Sequence, residues 1–143
     1  MATVDGLDKM QDFLASWQED PVQAKDAFTE FWAFLSAQRN LQFSFKARPG
    51  VSYSLRAHHT AQKRRELFVL IDVVDDDPHN RWLSVCFYND MVTDPDELGD
   101  FVPEGLFGED ACCFNLDEDN TTMRAYIAAR LAEAVKAAAR EAA

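Results

Sequence analysis

The chain has 143 residues, of which 48% are hydrophobic and 12% aromatic, with five Gly and five Pro. That composition excludes a disordered, collagen-like or low-complexity polypeptide and fits one domain. A formal net charge of −11 and a pI of about 4.5 exclude a generally basic protein that coats nucleic acid.

A first helix is predicted over about 6–19, where Leu7, Met10, Leu14 and Trp17 fall on one helical stripe. Asp20-Pro21 then reads as N-cap and first position of a second helix whose apolar face is Phe28, Phe31, Trp32 and Leu35, with Asn40 as a stop. After Asn40 the period becomes two. Leu41, Phe43 and Phe45 alternate with Gln42, Ser44 and Lys46, and Val51, Tyr53 and Leu55 alternate with Ser52, Ser54 and Arg56. A loop of Arg48-Pro49-Gly50 pairs Phe45 with Tyr53 and keeps one face apolar, with Gly50 as its left-handed residue. Residues 58–65 form a polar, basic connector.

A third strand is expected from Glu66 to Val74 and a fourth from Trp82 to Tyr88, joined by the turn Asp75-Asp76-Asp77-Pro78-His79-Asn80. Pairing Val74 with Arg81 puts Phe68, Leu70, Leu83, Val85 and Phe87 in the core. Residues 89–110 read as a long irregular connection with one helical turn, Ala111–Leu116 as a fifth strand and about 121–142 as a closing helix. The expected fold is therefore α+β: an antiparallel sheet of about five strands, with two N-terminal helices and one long C-terminal helix on one face, in a single domain over 1–143.

Charge is segregated along this order. Residues 1–30 carry a net −5, 31–65 carry +7 with no acid, 66–120 carry −15 and 121–143 carry +2. Two readings follow: the basic and acidic parts stitch the domain together, or a local basic surface meets an anion or an acidic partner. The odd count of cysteines (Cys86, Cys112, Cys113) and the adjacency of two argue against a secreted disulfide framework, so reduced thiols in a cytoplasmic protein are expected. No run reaches the roughly 18–20 apolar residues of a membrane helix, and the first twenty residues lack a basic leader region, so neither a membrane nor a signal peptide is expected.

The pattern of a helix, the hairpin Phe43-Ser44-Phe45-Lys46…Pro49-Gly50-Val51-Ser52-Tyr53-Ser54-Leu55, two apolar strands and a closing helix around Tyr126 resembles the small bacterial domains of the YdhG-like and MmcQ/YjbR-like type. The resemblance covers about 25–138 and implies an α+β fold that is often dimeric. It carries over no catalytic residue.

Candidate chemistry is sparse. Asp72 interrupts an apolar strand, and the expected register makes Arg81 its diagonal partner in a structural ion pair. Asp75, Asp77 and His79 are the densest candidates for a metal, but the run lacks calcium-loop spacing and reads as a solvated turn. His58-His59 reads as a pair of exposed loop histidines, and of Cys112-Cys113 one is expected in the core with no adjacent base to activate it. No glycine-rich phosphate loop, G-x-S-x-G or H-E-x-x-H occurs, so neither a cofactor nor a catalytic residue is expected. The polar face of the strands remains, with Ser44, Lys46, Ser54, Arg56, Trp82, Ser84 and Tyr88 on one surface suited to a partner chain or a small anion. The expected function is non-enzymatic association as a homodimer or with another protein. The alternative is binding of a small anionic ligand or metal at this face or the Asp75–Asp77 turn. Nucleic acid is not expected, because the −15 segment repels phosphate.

Overall fold

The computed structural model describes residues 3–141. The elements in chain order are β1 (Thr3–Asp5), α1 (Leu7–Ser16), α2 (Ala24–Ser36), β2 (Leu41–Arg48), β3 (Ser52–His59), β4 (Val69–Val74), β5 (Trp82–Tyr88), a 3-10 turn (Asn89–Met91), β6 (Asp100–Leu106), β7 (Glu109–Leu116) and α3 (Thr121–Ala139). The strands form one sheet in the order β1-β2-β3-β4-β5-β7-β6. β1 runs parallel to β2 and every other pair is antiparallel. The fold is α+β, but the sheet is mixed and has seven strands rather than about five. No helix among the described residues is long and apolar enough to cross a membrane.

The two additional strands have simple causes. β1 is three residues long, too short to show a period. β6 lies at the sheet edge and contains Pro103 and Gly105, with a bulge between Val102 and Leu106; an edge tolerates Pro because one side of its backbone needs no partner. The second helix starts later than expected. Asp20 is not its N-cap residue, yet its carboxylate accepts from Ala24 N at 2.7 Å and Lys25 N at 3.0 Å across a turn that Gln23 closes with φ of 59°. Asn40 takes the left-handed conformation after α2, and Asn120 caps α3 by accepting from Met123 N.

The first hairpin pairs Phe45 with Leu55 and Arg48 with Ser52, two residues away from the expected register. A shift of two keeps each side chain on its face. Phe43, Phe45, Leu55 and Ala57 are buried under the helices, where Phe13 stacks on Tyr53 at 3.8 Å and Trp32 meets Phe43 edge-on at 4.9 Å.

The second hairpin slips by one. Val74 pairs with Trp82, not Arg81, so Val69, Ile71 and Val73 enter the core with Leu83, Val85 and Phe87, and Leu70 moves to the other face. A slip of one exchanges the faces of a strand. The cause is the Arg81 side chain, which leaves the ladder for Asp75 in the turn: its Nε donates to Asp75 Oδ1 at 2.7 Å, with both side chains buried. The guanidinium also lies 5.0 Å from the Phe13 ring and 5.6 Å from those of Trp17 and Tyr53. Asp75 in turn accepts from Gly50 N at 2.8 Å, and its own N donates to Val51 O at 3.0 Å, so the two hairpin turns are clamped together. Gly50 holds φ of 84°, a conformation that favours glycine.

Removing one member of this buried pair leaves the other charge uncompensated. Arg81→Met and Asp75→Ala are each expected to cost about 3 kcal/mol in urea unfolding, and the double variant less than the two together. Single losses under about 1 kcal/mol would contradict the clamp.

Candidate functional site

The helices pack on the face that carries Phe45, Tyr53 and Phe114, and none crosses the opposite face among the described residues. This open face presents Gln42, Ser44, Lys46 and Arg48 from β2, Ser52, Ser54, Arg56 and His58 from β3, Leu70, Asp72 and Val74 from β4, and Trp82, Ser84, Cys86 and Tyr88 from β5. The register thus places all seven residues expected on one surface on the same side of the sheet. They differ in access. Lys46 is exposed, Ser44, Arg56, Trp82 and Ser84 are half-buried, and Ser54 and Tyr88 are buried. Tyr88 offers no free ring, because Arg65 lies 4.0 Å above it while pairing with Asp90 and Glu109 at 2.8 Å each. Ser54 works from beneath, accepting from Arg56 Nε at 3.2 Å.

Asp72 and Arg81 do not pair, for they lie on opposite faces. Asp72 sits between Ser54 and Ser84 in the ladder, and its Oδ1 is buried without a hydrogen-bond partner among the described residues. Burial pushes its carboxyl above the usual range, against the opposing pull of Ser54, Arg56 and Arg48. The Asp75–His79 turn does not converge on a point. Asp75 holds Arg81, Asp77 accepts from His79 N and Asn80 Nδ2, and His79 Nδ1 meets Glu19 at 2.8 Å. Among the described residues no group of three or more His, Cys, Asp or Glu is placed to hold a metal ion. His58 and His59 end β3 rather than lying in a loop. His59 is buried, and its Nδ1 accepts from Ala61 N at 3.0 Å, so it is neutral there; burial and then His58 push its pKa down. His58 alternates onto the open face, with its Nδ1 unpartnered among the described residues.

The cysteines depart from the expected reduced state. Register sets Cys86 opposite Cys113 on the open face with Cα atoms 4.1 Å apart, and the two form a disulfide. Cys112, one residue on, faces the core as a free thiol whose pKa burial raises.

The most distinctive feature is electrostatic. Arg64, Arg65, Arg81, Arg124 and Arg130 are ion-paired; Lys46, Arg48 and Arg56 are among the cations that form no salt bridge among the described residues, and these three stand together on one face. Two hollows adjoin them. One, of about 400 Å³, is lined by Ser44, Lys46, Arg56, His58, Glu66 and Phe107 among others. The other, of about 480 Å³ at the outer edge of β2, is lined by Lys9, Phe45, Lys46, Ala47, Arg48 and Arg56, four cations with no acid. Arg48 and His58 were absent from the expected surface, although the period of two continues through Ala47-Arg48 and Ala57-His58 and places both on it. Phe107, at the β6–β7 tip, has no local pattern that points to it.

Asp72 supplies a pH-dependent test. Its native carboxyl keeps a proton to higher pH than the unfolded one, so its burial cost is full above the native pKa and fades as pH falls toward the unfolded value. Asp72→Asn is expected to stabilise the protein by about 1 kcal/mol at pH 8, with the gain shrinking toward pH 4 in paired thermal melts. A loss at pH 8, or a gain independent of pH, would contradict the assignment. No family model, curated protein or solved structure matches the chain.

Proposed function

We propose that the protein is a binding module that holds an acidic segment of a partner protein along the basic margin of its open face. The observation that carries this reading is the set of unpaired cations, Lys46, Arg48 and Arg56, beside an uncovered sheet face in a chain of net charge −11. Clustered cations without an ion-pair partner favour an incoming anion, and complementary charge speeds and selects the encounter. Half-buried Leu70 pairs with Arg56, and Val74 and Trp82 extend the same face across β4 and β5 and supply apolar contact.

The chain's own acidic margin is a poorer occupant. Within residues 94–104, Asp94 accepts from Leu98 N and Gly99 N at 2.9 Å each, and Glu97 and Glu104 take left-handed conformations with φ of 53° and 55°. That margin is therefore folded on itself. Self-association remains the contrasting outcome, and the element order resembles domains that are often dimeric.

A fluorescent peptide of alternating Glu and Val tests the proposal by anisotropy, with a Lys-for-Glu control. The acidic peptide alone is expected to bind at about 50 mM salt and to lose binding near 500 mM, and the K46E/R48E variant to weaken it about tenfold or more. Equal binding of both peptides overturns the reading. A dimer seen by sedimentation at low salt that dissolves at high salt assigns the face to a second copy instead.

A further inference from the structure

The free end of β2 carries a more specific mode of binding, resting on the reading above. β1 covers β2 only from Gln42 to Ser44. At Gly6 the chain turns away from the edge with φ of 89°, and a Cβ there would stand 2.6 Å from Phe45 O, so the turn requires glycine. Beyond it, Phe45 to Arg48 pair with β3 on one side, and no strand lies on the other among the described residues. The hollow of about 480 Å³ lies along this stretch.

The backbone there is aimed outward. Phe45 O faces Gly6, hence the outer edge, and backbone groups alternate sides along a strand, so the N–H and C=O of Ala47 point the same way. Side chains sort by face. Lys46 and Arg48 stand on the open face, and Phe45 and Ala47 on the other with Lys9 beside them. Asp5, which pairs with Ser44 in β1, is the carboxylate at the near end.

We infer that an extended segment of alternating acidic and apolar residues adds as a strand to β2 at Phe45–Arg48. Its backbone bonds to Ala47, its carboxylates meet Lys46 and Arg48, and its apolar side chains lie against half-buried Ala47 and the stem of Lys9. Gly6 already sits against Phe45 O, so about 10 Å of this edge is open, enough for about three residues. Strand addition takes affinity from main-chain hydrogen bonds and specificity from alternate side chains. The same cations repel another basic edge, so they guard β2 against indiscriminate pairing and select an acidic one.

The test uses the Glu-Val peptide and two versions N-methylated on alternate residues, one set facing the sheet and one facing away. Binding is followed by anisotropy, and backbone protection by amide hydrogen exchange of the intact protein. The unmodified peptide is expected to slow exchange at Ala47 about tenfold or more, and only one methylation pattern to weaken binding by a similar factor. If both methylated peptides bind as well as the parent, or if Ala47 is not protected, strand addition is overturned while the binding-module reading stands. If the unmodified peptide does not bind, both are overturned.

Discussion

All three helices lie on one side of the sheet, and this one-sided cover is the constraint on which the rest of the molecule depends. It requires the central strands to alternate, because a slip of one residue would turn polar side chains, Asp72 of β4 among them, into the core. The alternation is enforced at the turns. Arg81, seated among Phe13, Trp17 and Tyr53, anchors Asp75, and Asp75 holds the neighbouring turn through Gly50. One buried ion pair therefore sets the register of β4 against β5 and ties it to β2 and β3.

The same constraint leaves the opposite face of the sheet uncovered. With its apolar residues beneath the helices, the sheet presents its polar set outward on a face that no helix covers among the described residues. The charge segregation divides into two kinds. At the connector, Arg64 and Arg65 bind Glu109 and Asp90, which stitches the basic segment to the acidic one. At the β2 margin Lys46, Arg48 and Arg56 have no such partner among the described residues, and it is this part of the basic segment that the proposed binding uses. Asp72, buried with an orphaned oxygen among the described residues, stands at the inner border of that cationic patch, where burial raises its pKa against the pull of Arg56 and Arg48.

Much of this was legible in the sequence. The period of two fixed which side of β2 and β3 is apolar, even though the pairing is shifted by two residues. Trp82–Tyr88 stands where periodicity put it. What escaped has physical causes. In β4 both sets of alternate residues are largely apolar and only Asp72 marks one of them as outward; pairing Asp72 with Arg81 hid that mark, whereas Arg81 in fact pairs with Asp75 across the turn. β6 is an irregular edge, and the Cys86–Cys113 bond depends on the pairing of β5 with a strand far along the chain. At the site, Lys46 and Arg56 were readable as neighbours on one face, whereas the free edge at Phe45–Arg48 depends on where β1 stops, which no local pattern encodes.

Methyl relaxation by a soluble gadolinium chelate measures directly which side of β4 meets water. Strong enhancement is expected at Leu70 and Val74 and almost none at Ile71 and Val73, which are fully buried. Enhancement at Ile71 and Val73 with Leu70 silent would mean that the strand is registered the other way, and the open face described here would not exist.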